Sequence, residues 1–217
     1  MVRIIPVLTV ANGKLVKTVQ FQNPRNLNSP MAAVRNFNHR NVDEMVILFI
    51  DGKIDFELFE SIAKECFMPL AVGGGIRTMD DVDRLFSLGA DKVVIRTATE
   101  LIPRVSAKYG AQAVIYALDF APGQLAVKPP ECGEVLLTDI TKEGTLTGYN
   151  TTPLTRESLL RDYVVIANGG AGKPEDFLAA YQSGASALAA SSIWFYTEHT
   201  PQSVKEYLAK NGVPVRI

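Results

Sequence analysis

Two stretches of this chain bring adjacent glycines to the end of an apolar run and follow them with a helical pattern: AVGGGIRT at residues 71–78 and IANGGAGK at residues 166–173. Gly74 with Gly75, and Gly169 with Gly170, let the main chain take positive φ and remove the Cβ that would keep a ligand at a distance. The N–H groups at the start of the following helix favour negative charge. Phosphate binding is the chemistry this pattern suits, and two such places in one chain predict a ligand with two phosphates. A further candidate is Asp119, which closes the apolar run AVIYALD. A carboxylate at a strand end suits proton transfer, and it also suits capping of neighbouring N–H groups.

Other chemistries are poorly supplied. The two cysteines, Cys66 and Cys132, form no CxxC, and the two histidines, His39 and His199, stand apart from other ligand types. Neither zinc nor a disulfide framework is indicated, both thiols are expected to be buried, and no metal or organic cofactor is expected. A net charge of −1 with 21% charged residues lacks the basic patch that nucleic acid calls for, so an anion must be bound by local groups. The N-terminal MVRIIPVLTV is too short an apolar run for a signal peptide, and no run reaches the roughly 18 residues of a spanning helix. A cytoplasmic protein with no membrane insertion is expected.

The elements that must position these residues follow from the pattern. Short β-branched runs fall at residues 4–10, 44–50, 70–74, 92–96, 113–119, 134–140, 164–169 and 186–191. Helical patterns fall between them at 30–39, 56–65, 79–88, 101–109, 154–160, 174–183 and 201–210. Strand and helix alternating through eight strands predict an α/β chain closed as a (β/α)8 TIM barrel, one domain over residues 1–217. One helix is missing. Between Asp119 and Glu134 the prolines Pro122, Pro129 and Pro130 with Gly123 leave no room for a regular helix. The fifth βα unit is therefore abbreviated, either by nature or because residues are absent, and the pattern fits both.

The halves repeat. At an offset of 95, Gly74 matches Gly169, Gly75 matches Gly170, Asp81 matches Asp176, Gly89 matches Gly184 and Ala90 matches Ala185; at an offset of 90, Glu44 matches Glu134 and Ile50 matches Ile140. These matches predict two half-barrel repeats, with the alternative that βα units look alike in general. Duplication would set the two glycine sites across the barrel mouth from each other. At the opposite end, Arg3, Glu44, Lys92 and Glu134 start four strand runs and alternate in sign, so they can form a ring.

Taken together, IIPVLTV with GKLVKTVQF, VDEMVILFID, VGGGIRT, GADKVVIRTA, GEVLLTDITKEGTLTGY, NGGAGKPEDF and ALAASSIWF resemble the HisF family, the cyclase subunit of imidazole glycerol phosphate synthase. The likeness runs along nearly the whole chain and breaks mainly in the short fifth unit. LVKTVQFQNP, AVRNFN and DFELFESIAKECFMPLAVGGGIRT are more similar to HisF paralogues found with surface-polysaccharide genes, which serve acetamidino modification of a sugar. The resemblance implies a HisH-like glutaminase partner and, for the paralogue branch, a separate sugar amidotransferase.

Residue by residue, the resemblance implies phosphate binding at Gly74, Gly75, Thr97, Gly169, Gly170 and Ser191, and ligand contact by Lys17 in the loop after the first strand. A loop lysine alone is as readily a solvated charge. Asp119 matches one of the family's two acid/base aspartates, whereas Thr9 stands where the other belongs. A threonine hydroxyl is no base near neutral pH, and such a group contributes on the order of 10²–10⁴-fold. Phe49 replaces a further family aspartate, with Asp51 two residues on along the same strand face. Arg96 replaces an asparagine and would bring positive charge to the first phosphate site. Glu143 stands for an aspartate.

The ring residues Arg3, Glu44, Lys92 and Glu134 match the family's ammonia gate, and all four types are kept; a surface ion network is the plainer alternative. Asp91 matches a residue at the glutaminase interface, and Trp194 reads as packing. Three readings follow: an ammonia-conducting HisF-like subunit for sugar amidination in surface-glycan synthesis, a true cyclase in histidine biosynthesis, or a non-catalytic phosphate-binding scaffold.

Overall fold

The computed structural model describes residues 1–121, 123, 128–156 and 158–217. Eight parallel strands follow one another around a closed barrel: β1 (Arg3–Ala11), β4 (Met45–Phe49), β5 (Leu70–Gly73), β6 (Lys92–Ile95), β7 (Val114–Phe120), β8 (Glu134–Asp139), β9 (Val164–Asn168) and β10 (Ala187–Ala190). Pairing of β10 with β1, from Arg3 opposite Ala187 to Pro6 opposite Ala190, closes the ring. β-Branched and small apolar residues dominate because a parallel strand in a barrel is covered on both faces. Ile5, Val46, Ala71, Val94, Ile115, Ile166 and Ala187 fill the interior. Their neighbours Ile4, Ile47, Val72, Val93 and Val114 point outward to the helices, as the two-residue period requires.

The helices are α1 (Pro30–Asn38), α2 (Phe56–Glu65), α3 (Met79–Ser87), α4 (Ile102–Tyr109), α5 (Thr152–Arg156), α6 (Pro174–Gln182), α7 (Ile193–Tyr196) and α8 (Pro201–Lys210). Repetition of the halves is visible at the caps. Asp81 Oδ2 accepts from Arg77 N and Thr78 N at 3.0 and 2.9 Å. Asp176 Oδ2 accepts from Gly172 N and Lys173 N at 2.8 and 3.0 Å. Each carboxylate thus satisfies the same two orphan donors at the start of its helix.

Three departures from the sequence pattern bear on the site. Residues after β1 do not form a loop: β2 (Lys14–Val19) and β3 (Gln22–Asn28) make an antiparallel hairpin continuing β1, with Thr9 opposite Val16. The helical pattern at 154–160 divides into α5 and a 3-10 turn at Ser158–Leu160, while the unforeseen α7 follows β10. Between β7 and β8 no helix occurs among the described residues. Part of that abbreviated unit, residues 122 and 124–127, lies outside the described residues.

Candidate functional site

The carboxyl ends of the strands surround a cavity of about 330 Å³. Thr9, Lys17, Asp119, Thr97 and Ser191 all line it, as do Gly74, Gly75, Gly169 and Gly170. Gly74, Gly75 and Thr97 follow the adjacent strands β5 and β6, whereas Gly169, Gly170 and Ser191 follow β9 and β10 on the far side of the ring.

Gly74 and Gly170 have a structural cause besides the expected ligand approach. Gly74 has φ 86° and Gly170 has φ 104°. A Cβ on Gly74 would lie 2.0 Å from Phe49 O, and one on Gly170 would lie 2.2 Å from Gly148 O. Neighbouring main chain presses on these positions, so glycine is required even with no ligand present. The cradle shape is built into the fold.

Lys17 is neither in a loop nor solvated. It lies on β2 with 2% of its surface exposed, its Nζ donating to Ser191 Oγ and, at 3.4 Å, to Thr9 Oγ1. Burial drives its pKa from the ordinary 10.5 down to about 8, against the opposing pull of the Glu143 carboxylate. The Thr9 hydroxyl in turn donates to Val16 O and ties β1 to the hairpin.

Asp119, on β7 across the mouth, accepts from Arg96 Nη1 at 3.0 Å. Arg96 is thus the partner of the family-type aspartate, and its positive charge is shared with that carboxylate. Glu143, in the loop after β8, is buried and serves the hairpin: it accepts from Thr18 Oγ1 and from Phe21 N, both at 3.0 Å, while its main-chain oxygen accepts from Gln20 N at 2.9 Å. Asp51 does not stand in for the aspartate that the resemblance expects at position 49, where Phe49 is found. The strand ends at Phe49, the chain turns, and Asp51 faces outward to accept from Asn12 N at 2.8 Å. Two further lining residues, Thr138 and Asn168, are joined by a 3.1 Å hydrogen bond. Asn168 sits inside the quoted glycine motif, so its place beside the mouth was readable, whereas Thr138 carried no signal of its own.

At the opposite end the four alternating charges meet. Arg3 contacts Glu44, with its Nη1 donating to Oε2, and reaches Glu134 Oε1 at 2.9 Å. Lys92 Nζ lies 2.9 Å from Glu44 Oε1 and 3.1 Å from Glu134 Oε1. Each carboxylate therefore meets both cations. Burial opposes the charge of Arg3, but Glu134 and then Glu44 outweigh it, and its pKa is raised. Asp91, exposed beside Lys92, accepts from Leu70 N at 2.7 Å and caps the start of β5. Sequence reading missed a second cluster at this end, in which Asp43 Oδ1 takes Lys205 Nζ at 2.7 Å and Arg216 Nε at 3.1 Å.

Trp194 packs against Phe177 with ring centroids 5.7 Å apart, and its Nε1 donates to Ala190 O at 2.8 Å. The cysteines are half-buried rather than buried. Each thiol donates to a nearby carbonyl, Cys66 to Met68 O at 3.4 Å and Cys132 to Glu134 O at 3.3 Å. Partial burial raises both pKa values, that of Cys132 to about 11. No described helix is long and apolar enough to cross a membrane.

The sequence profile of a family described as histidine biosynthesis protein matches residues 3–131 and 125–200, two stretches that meet in the connection between β7 and β8. A Campylobacter jejuni protein provisionally named imidazole glycerol phosphate synthase subunit hisF2 is 37% identical over 243 residues, covering 99% of this chain and 98% of its own. The imidazole glycerol phosphate synthase subunits HisF of Thermococcus gammatolerans and Dehalococcoides mccartyi are 35% and 38% identical over 247 and 248 residues, with the same coverage. These alignments are longer than the 217 residues of this chain, so the relatives carry residues that it lacks.

Proposed function

The chain belongs to the histidine biosynthesis protein family, and on that premise we propose that it is the HisF-like subunit of a glutamine-dependent complex. A HisH-like glutaminase docks on the face that carries Arg3, Glu44, Lys92 and Glu134, with Asp91 at its edge. Ammonia passes the ring and the aliphatic interior, where the neutral molecule is tolerated and ammonium is not. It emerges at a mouth that holds a phosphorylated ligand through Gly74, Gly75 and Thr97 on one side and Gly169, Gly170 and Ser191 on the other. The product serves sugar amidination in surface-glycan synthesis, together with a separate amidotransferase.

The observation that carries this reading is the contrast between the ends. All four ring charges are present and mutually paired, whereas at the mouth Thr9 takes the place of an acid/base group and Asp119 is engaged by Arg96. A second reading, a cyclase of histidine biosynthesis, is favoured by the names of the relatives, which are imidazole glycerol phosphate synthase subunits. Co-expression with a HisH-type glutaminase separates them. Glutaminase stimulation without formation of imidazole glycerol phosphate supports the first reading, and turnover to that product supports the second. Failure of the two chains to associate removes both and leaves a phosphate-binding scaffold.

A further inference from the structure

Two buried lysines have different surroundings. Lys205 is fully covered and donates to Asp43 Oδ1 at 2.7 Å. Lys17 opens onto the mouth cavity, and among the described residues its hydrogen-bond partners are two hydroxyls, those of Thr9 and Ser191.

The hydrogen bonds leave one position on the Lys17 nitrogen without a protein partner among the described residues. The Thr9 hydroxyl donates its single proton to Val16 O, and the Ser191 hydroxyl donates its own to Val7 O. Both oxygens therefore meet Lys17 as acceptors. Two N–H groups satisfy both hydroxyls, and the remaining position holds a third proton in the ammonium and a lone pair in the amine. Burial without a hydrogen-bonded carboxylate lowers the cost of losing the third proton, so the amine is a minor form at neutral pH and the major one above about 8. The charged groups facing this nitrogen are few: Glu143, tied to Thr18 and Phe21, and across the mouth the Asp119 and Arg96 pair. An aspartate at position 9, where the family has one, would hold Lys17 as an ammonium. Thr9 supplies no such carboxylate, so deprotonation of Lys17 is easier.

We propose that Lys17 is a nucleophilic amine that forms an imine with the carbonyl carbon of a phosphorylated sugar held at the mouth. The proposal rests on reading the mouth as a phosphate site. The Lys17 lone pair forms the C–N bond, the carbonyl π pair moves to oxygen, and a proton passes from nitrogen to that oxygen. Loss of water leaves the imine, which is more electrophilic than the carbonyl once protonated. Ammonia then adds to the imine carbon and gives a proton to the Lys17 nitrogen. The C–N bond to Lys17 breaks with its electron pair returning to the lysine, and the incoming nitrogen remains on the sugar as its imine. No oxidant or reductant is consumed.

The test is reductive trapping of the full chain with ribulose 5-phosphate and sodium cyanoborohydride, read by peptide mass, beside a calorimetric titration with inorganic phosphate. The expected result is a reduced adduct on Lys17 that inorganic phosphate suppresses. Lys17→Arg loses it, with circular dichroism confirming the fold, and Thr9→Asp, which keeps the lysine but supplies a carboxylate, also loses it. Absence of a Lys17 adduct in a protein that binds phosphate overturns the nucleophile and leaves the mouth reading standing. Absence of both adduct and phosphate binding overturns both. An adduct that phosphate does not suppress, or that persists undiminished in Thr9→Asp, also overturns the proposal, because the lysine would then be reacting outside the site.

Discussion

The two ends of this barrel carry similar numbers of charges and treat them in opposite ways. At the amino ends of the strands two carboxylates and two cations form a closed ring in which every member has two partners. At the carboxyl ends the charges are separated into local arrangements: Asp119 with Arg96, Glu143 with the hairpin, and Lys17 with two hydroxyls. A closed ring resists change, since removing one member leaves two like charges sharing a single partner. The mouth is held by hydroxyls and main chain, so single side chains there can be altered while the cradle stays in shape. The proposed function rests on that difference: the ring is set by mutual pairing and the mouth by hydroxyls and main chain.

The sharpest way to break the comparison is at Glu44, whose side chain is 3% exposed between Arg3 and Lys92. Glu44→Ala leaves Arg3 and Lys92 to share Glu134 alone, with one uncompensated positive charge, and a loss of about 3 kcal/mol is expected in urea denaturation. A loss well below ~1 kcal/mol would mean that water already carries those charges, and the contrast between the ends would collapse.

The next effect is a pH dependence. The folded pKa of Lys17 near 8 lies below the ordinary 10.5 of the unfolded chain, so between those values the unfolded chain binds more protons and stability rises with pH. The expected contribution is about 1 kcal/mol per pH unit in that window, on the scale of one proton. Lys17→Met removes this part of the slope, and denaturation midpoints measured for both proteins from pH 8 to pH 10 compare them. Equal slopes would place the Lys17 nitrogen in solvent, against its burial beside the mouth.

The smallest effect belongs to Arg96, whose side chain is 63% exposed. Arg96→Asn should change stability by less than about 1 kcal/mol, as for other exposed ion pairs, while releasing Asp119. A larger loss in thermal denaturation would show that the mouth, too, depends on its ion pairs.

Much of this was legible in the chain itself. Eight apolar runs alternating with amphipathic ones specify the barrel because a parallel sheet needs cover on both faces, and its inward and outward residues alternate by covalent geometry. The four ring residues were readable since each begins a strand run, and strand beginnings converge at one end of any such barrel. The glycine pairs were readable as places, but the packing that requires Gly74 and Gly170 was not: only the folded chain brings Phe49 O and Gly148 O against them. Asp51 misled because strand period was extended past the point where β4 turns.

Sequence by itself determined the architecture and the end of the barrel at which each candidate residue lies, because both follow from local period and strand direction. Tertiary structure alone decided how those charges are used. Lys17 reads as a surface lysine until a hairpin folds it under the mouth, and Arg96 reads as a free charge until β6 and β7 set it beside Asp119. Ionisation depends on burial and on partners distant along the chain, which no local pattern encodes.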